Sequence, residues 1–291
     1  MTRLCTYQEG ADVHVGVLDA DGQRIQPLDH LVSAELAAVT GVTALIGTEP
    51  GQLAGGDPTV ALADVTLLAP VPQPHRNIFC VGKNYLEHAA EFGRSGYDNS
   101  VSGDAPEHPI VFTKPASCVV GPGADVEAHP QVTSELDYEA ELAVVIGRPG
   151  RGIAASRAAE HVWGYTLVND ITARDLQRRH KQWFLGKSLD TFCPMGPWLA
   201  TTDEIDLENL RIECRVNGEL RQSASTADLI FDVPTLIETI SAGLTLQPGD
   251  IVATGTPAGV GIGFDPPRFL SAGDLVEVSA AGLGRLENRI V

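Results

Sequence analysis

The sequence predicts an α+β, mainly β fold, with a small N-terminal domain over residues 1–70 and a larger β-rich domain over residues 71–291. Three observations carry this. Short runs rich in β-branched and aromatic residues recur beyond residue 77, and helical patterns there are few and short. Between the two parts, Leu68-Ala-Pro-Val-Pro-Gln-Pro-His75 places three prolines in one stiff connector.

Ahead of that connector the chain reads as short strands and turns with one alanine-rich, helix-like stretch near Ser33 to Ile46. Beyond it, strands are expected at Asn77 to Val81, Pro109 to Thr113, Leu136 to Ile146 and Val162 to Asn169. Arg211 to Gln222 is expected to fold as a hairpin, because Asn217-Gly218 at its middle tolerates the positive φ of a tight turn. Two later segments, opening Gln247-Pro-Gly-Asp and Ser271-Ala-Gly-Asp, each read as a turn leading into a strand. Helices are expected over about Tyr85 to Phe92, Ala154 to His161, Thr172 to Lys181 and Val233 to Ala242. From Phe92 to Pro106 the chain is polar, glycine-rich and aperiodic, which fits a surface loop and fits equally a lid that orders over substrate.

Composition limits the partners. A formal charge of -18 argues against nucleic acid or an anionic membrane surface. No apolar run approaches the roughly 20 residues that span a bilayer, and Met1-Thr-Arg-Leu-Cys-Thr-Tyr7 lacks an apolar signal segment, so a cytosolic location is expected. The five cysteines are scattered and contain no Cys-x-x-Cys pair, which fits reduced thiols. Any metal should therefore prefer oxygen ligands.

Three acidic residues supply them. Glu139 and Glu141 lie in Asp137-Tyr-Glu-Ala-Glu-Leu-Ala-Val-Val-Ile-Gly147. On a strand, residues two apart share a face roughly 7 Å apart, so both carboxylates could reach one cation. On a helix they would diverge by about 200°. The alternation also fits a strand with one solvated face. Asp170 ends the next strand-like run and offers a third ligand on a rigid mount, although a turn or helix-capping role fits it too.

His88 and Glu91 are three apart in Gly82-Lys-Asn-Tyr-Leu-Glu-His-Ala-Ala-Glu91. On a helix, that spacing lets a carboxylate orient an imidazole and raise its basicity. Arg174, Gln177 and Arg178 fall on one helical face that could bind a substrate carboxylate, or could simply be solvated. Gly186-Lys-Ser188 is not a phosphate loop, because Lys181 stands where the earlier glycine is needed. Gly259-Val-Gly261-Ile-Gly263 is not a dinucleotide fingerprint; its glycines suit close backbone approach, which makes neighbouring Thr256 a candidate substrate contact.

Together these segments resemble the fumarylacetoacetate hydrolase family over about Asn77 to Val291. The resemblance rests on Gly82-Lys-Asn-Tyr-Leu-Glu-His88, Phe112-Thr-Lys-Pro115, Asp137-Tyr-Glu-Ala-Glu141, Val168-Asn-Asp-Ile-Thr-Ala-Arg-Asp175, Leu185-Gly-Lys-Ser188 and Thr254-Gly-Thr-Pro257. It implies a β-roll or sandwich-like catalytic domain, a Mg²⁺ or Mn²⁺ ion and a homodimer. It also implies that Glu139, Glu141 and Asp170 are metal ligands, that His88 and Glu91 are the catalytic pair, and that Lys187, Arg174, Gln177 and Thr256 contact substrate or transition state. The longer animal-type members add a fourth aspartate before the histidine segment; Val81-Gly-Lys-Asn-Tyr85 has no acid there.

The chemistry expected is hydrolysis of a carbon-carbon bond in an acylpyruvate or 2,4-diketo acid. Carbonyl polarisation by the metal, water activation by His88 and oxyanion stabilisation by Lys187 would supply it. The same enolate could serve an oxaloacetate-type decarboxylase, a keto-enol isomerase or a 2-hydroxyhepta-2,4-diene-1,7-dioate isomerase. A non-catalytic metal- or ligand-binding protein would not require the His88 and Glu91 pair.

Overall fold

In the computed structural model, which describes residues 2–96, 105–202 and 205–291, the apolar segment Ala140–Ile146 forms a strand buried at every position. Such a strand must be paired on both edges and covered on both faces. It pairs antiparallel with Val162–Asn169 on one side and with Ile251–Ala253 on the other. Beyond Ile251–Ala253, Ile78–Gly82 adds in parallel and Ile110–Lys114 follows antiparallel. Beyond Val162–Asn169 comes Cys193–Thr201, which also pairs with the first strand, Arg3–Glu9, so that Arg3 stands opposite Ala200. The N-terminal strands Asp12–Leu18, Arg24–Pro27 and Val60–Ala61 extend the same 12-stranded sheet.

A second sheet of four strands takes the order Glu219–Ser225, Arg211–Val216, Leu275–Ala280, Gly284–Arg289. Its inner residues Ile212, Val278 and Leu286 join Leu4, Leu142 and Leu167 of the large sheet in one apolar core. The mainly β architecture, two large packed sheets with a further two-stranded one, is thus of the class expected. The hairpin turn falls at Asn217 and Gly218, with φ of 52° and 81°.

Several boundaries differ from expectation. Leu136–Ile146 is not one strand: Leu136–Asp137 pairs with Thr172–Ala173, and Ala140–Ile146 begins after Glu139. Glu139 therefore precedes the strand rather than sharing its pleat, and the strand has no solvated face. The expected helix from Thr172 starts as that short strand and becomes helical only over Arg174–His180. Ala155–His161 forms a 3₁₀ helix. The helix carrying His88 spans Leu86–Arg94, two residues beyond the expected end. Most of the loop or lid expected after it, 97–104, lies outside the described residues. All five cysteines are free and buried, and among the described residues no helix is long and apolar enough to cross a membrane.

Candidate active site

The antiparallel pair Ala140–Ile146 and Val162–Asn169 ends where its two chains exit the sheet, and this brings Glu139, Glu141 and Asp170 together. Each offers one carboxylate oxygen within 4.8 Å of the other two, and all three residues are buried. Glu141 also accepts the Gly255 N–H at 2.8 Å, at the end of the neighbouring strand.

Buried carboxylates need positive charge. The Lys187 ammonium lies 2.7 Å from Glu139 Oε2 and 2.8 Å from Asp170 Oδ2. Lys114 lies 2.7 Å from Asp170 Oδ1, and its ammonium also donates to the backbone carbonyls of Ile171 and Lys187. Arg174 Nη1 lies 2.7 Å from Glu139 Oε1, and its Nε donates to Asp137 at 2.9 Å. Burial works against the charge on Glu139, but Lys187, Arg174 and His88 outweigh it and hold the carboxyl down at about 2. For Glu141, burial, then Asp170 and Glu139, outweigh the opposing pull of Lys187 and the Gly255 N–H and push its carboxyl well above the ordinary range. An all-oxygen set crowded with like charge is what a hard divalent cation relieves, so these residues fit Mg²⁺ or Mn²⁺.

A small, partly open cavity lies over Glu139. His88, Arg174, Gln177, Lys187 and Thr256 line it together with Trp183. Arg174 is buried, yet its Nη2 has no hydrogen-bond partner among the described residues. Gln177 fixes the guanidinium by accepting from Nη1 at 3.1 Å. Arg178, grouped with them by spacing, instead turns to the surface near Glu135. Thr256 Oγ1 accepts from Gln222 Nε2 at 2.8 Å. On the far wall, His88 Nδ1 lies 3.3 Å from Glu91 Oε2. Glu91 also accepts the Gly259 N–H at 3.0 Å.

Arg178 apart, the structure thus brings together the residues singled out for a metal, catalytic or substrate role: Glu139, His88, Arg174, Gln177, Lys187 and Thr256 line one cavity, and Glu141, Asp170 and Glu91 lie against its lining. It adds four that sequence reasoning left without a role. Lys114 sits in the Phe112-Thr-Lys-Pro115 segment and is 1 % exposed, a buried cation that only a buried anion would keep. Asp137, fully buried, anchors Arg174. Gln222 reaches Thr256 from a hairpin whose local pattern carries no sign of it. Trp183 rests on Gly82, where an added Cβ would come within 2.2 Å of its ring, and it packs edge-on against Phe112 at 5.3 Å.

Comparison with known proteins places these residues in context. An oxaloacetate tautomerase of Bacillus subtilis, YisK, is 56 % identical over 231 residues, covering 79 % of this chain and 74 % of its own. The human mitochondrial oxaloacetate tautomerase FAHD2A is 45 % identical over 242 residues, covering 82 % and 74 %. Among solved structures, a fumarylacetoacetate hydrolase from Exiguobacterium antarcticum superposes with a TM-score of 0.84 at 41 % identity, over 100 % of this chain and 99 % of its own. A 2-hydroxyhepta-2,4-diene-1,7-dioate isomerase from Mycobacterium marinum does so at 0.75 and 34 %, over 100 % and 98 %. Residues 77–291 match the family described as fumarylacetoacetate (FAA) hydrolase C-terminal, and the chain belongs to that family of enzymes.

Proposed function

We propose that this chain is a divalent-metal-dependent keto-enol tautomerase of an oxaloacetate-like 2-keto diacid. The observation that carries the reading is the make-up of one small cavity, lined by Glu139 of the carboxylate triad, by Arg174 with a guanidinium nitrogen left without a partner among the described residues, and by the His88 imidazole. The 56 % and 45 % identity to proteins named oxaloacetate tautomerases supports it, in preference to the acylpyruvate hydrolase expected from the sequence.

In this reading Glu139, Glu141 and Asp170 hold the cation, which when bound polarises the C2 carbonyl and favours negative charge on its oxygen. Arg174 Nη2, with Gln177 and Thr256 beside it, binds a substrate carboxylate; the fork of Arg174 is already set by Asp137 and Gln177. With Nδ1 facing Glu91, His88 presents Nε2 to the substrate. Nε2 removes a proton from C3 of the keto form and a proton returns to the C2 oxygen, giving the enol; the reverse path uses the same atom. Lys187 keeps positive charge beside the reacting oxygen.

A second reading, hydrolysis of an acylpyruvate or 2,4-diketo acid, has the likeness to the Exiguobacterium enzyme in its favour. There, Nε2 would deprotonate a water. One assay separates these readings: purified enzyme with Mg²⁺ or Mn²⁺ is given enol-form oxaloacetate and its decay followed by absorbance, alongside release of carbon dioxide and cleavage of a panel of acylpyruvates. Accelerated enol decay that outpaces both other reactions is expected. Decay at the buffer rate, with acylpyruvate cleavage, would replace the tautomerase reading with the hydrolytic one. The homodimer and the cytosolic location belong to the same proposal. A solution particle of the 30.8 kDa monomer mass would remove the first.

A further inference from the structure

The glycine-rich segment Gly259-Val-Gly261-Ile-Gly263 has no place in the chemistry above, yet it touches both ends of the site. Its two apolar residues, Val260 and Ile262, are buried against Phe92, which lies on the helix that carries His88 and Glu91. Its backbone is held by carboxylates: Glu91 accepts the Gly259 N–H, and Asp137 accepts those of Gly261 at 2.6 Å and Ile262 at 3.1 Å. The same Asp137 carboxylate takes Nε of Arg174 at 2.9 Å. Apolar side chains thus clamp the segment to the helix, and the intervening residues pass close to Glu91 and Asp137.

The glycines are not equivalent. A Cβ on Gly259 would lie 2.0 Å from the Arg221 carbonyl oxygen, at a φ of +99° that side chains rarely adopt. On Gly261 it would meet the Arg268 carbonyl oxygen at 2.5 Å. Both contacts are with backbone, so substitution there strains the fold. Gly263 differs: its φ is ordinary, it is exposed, and its added Cβ would lie 1.7 Å from Glu91 Oε1, 2.2 Å from Cδ and 2.7 Å from Cγ. The three nearest atoms it would meet all belong to the Glu91 side chain, so a methyl group there presses first on the Glu91 carboxylate rather than on backbone.

We infer that Gly263 is a positioning residue for the proton-transfer pair: the missing side chain keeps open the space in which the Glu91 carboxylate must lie to orient His88. This rests on the tautomerase reading only in taking His88 as the proton carrier. The experiment compares Gly263→Ala, Glu91→Asp and the double variant, each loaded with Mg²⁺. Three readouts are used: kcat and KM for enol decay, the thermal unfolding midpoint, and the hydrogen-bonded imidazole N–H resonance of His88. Gly263→Ala should keep its midpoint and KM, lose or shift that resonance, and lower kcat roughly 10- to 100-fold, the scale of a one-ångström misplacement at a reacting group. Asp at position 91 is one methylene shorter and leaves room for the methyl, so adding Gly263→Ala to Glu91→Asp should bring no further loss.

Wild-type kcat with an unmoved His88 resonance would overturn the inference. So would equal losses from Gly263→Ala in both backgrounds, which would mean a general structural effect, or failure of Gly263→Ala to fold. A resonance that shifts while kcat stays at the wild-type value would keep the positioning role and remove His88 from the chemistry.

Discussion

The site has two centres built on opposite principles. The carboxylate triad stands on the ends of central strands and behind them, where Glu139, Glu141 and Asp170 are at most 5 % exposed and three cations, Lys114, Lys187 and Arg174, close around two of them. The His88 and Glu91 pair stands on a nine-residue helix, joined at 3.3 Å and tied to the rest through one backbone N–H of a glycine loop. The first centre is over-determined because unpaired charge in a dry interior is costly. In the proposed tautomerase the second can be lightly held, because a proton carrier for a carbon acid must only sit correctly. Folding and metal affinity should therefore depend on the triad, and rate alone on the pair.

The sharpest way to break that contrast is Asp170→Ala. It strips two buried ammonium groups of a partner at once, which should cost about 3–5 kcal/mol in urea unfolding and abolish both Mg²⁺ binding and turnover. Chelation of the wild-type protein with EDTA should likewise stop turnover, with recovery on adding Mg²⁺ or Mn²⁺. Full activity in the stripped protein would end the metal reading.

Next in size is His88→Ala. The variant should lose less stability to urea than Asp170→Ala and bind oxalate with Mg²⁺ nearly as tightly as wild type, while kcat falls by about 10² to 10⁴. Weak oxalate binding with normal turnover at saturation would make the pair a substrate clamp, and the two centres would no longer divide binding from rate.

The same contrast governs how far the molecule can be read from its sequence. Residues whose chemistry is costly in a core announce themselves: Glu139, Glu141 and Asp170 stand out because a carboxylate set against a β-branched run is costly to bury unless positive charge meets it, and the structure collects them. What local pattern cannot carry is long-range pairing. Cys193–Thr201 is a central strand, but Pro194, Gly196 and Pro197 all argue against a strand by local rules; a register shift between Gly196 and Ala200, where it pairs with Val162–Asn169, accommodates Pro197. Its pairing with Arg3–Glu9 has no local signal at all. The same holds for Gln222, which reads as an exposed hairpin residue and is buried only because its sheet packs beneath Thr256. Period-two alternation puts Glu139 on the strand because it continues one residue further than the ladder does; Asp137 pairs elsewhere, with Thr172, and breaks the run.

Lys114→Met sharpens the division within the triad. Lys114 faces Asp170 from behind the site and does not line the cavity. In EDTA its loss should lower stability by about 1–3 kcal/mol, the range for a broken hydrogen bond to a charged group. Mg²⁺ should recover part of that, because a cation that binds only the folded chain adds stability and meets one competing positive charge fewer. The check is a pair of urea titrations. An identical loss with and without Mg²⁺ would detach Lys114 from the metal centre.

The smallest effect is expected where geometry is the same and the surroundings are not. Arg157 and Glu160 lie 2.9 Å apart, the distance that separates Arg174 from Asp137. The first pair is 61 % and 46 % exposed, the second 1 % and 0 %. In water the attraction of the first is screened and competes with the freedom of two long side chains, so little of it reaches the folding equilibrium. Arg157→Ala should leave the urea midpoint unchanged within measurement error, at low and high salt alike. Arg174→Ala should lower it substantially, since Asp137 and Glu139 would be left buried without their shared cation. If both substitutions shifted the midpoint equally, burial would not be what distinguishes the site's charges from those on the surface, and the over-determined character assigned to the triad would fall with it.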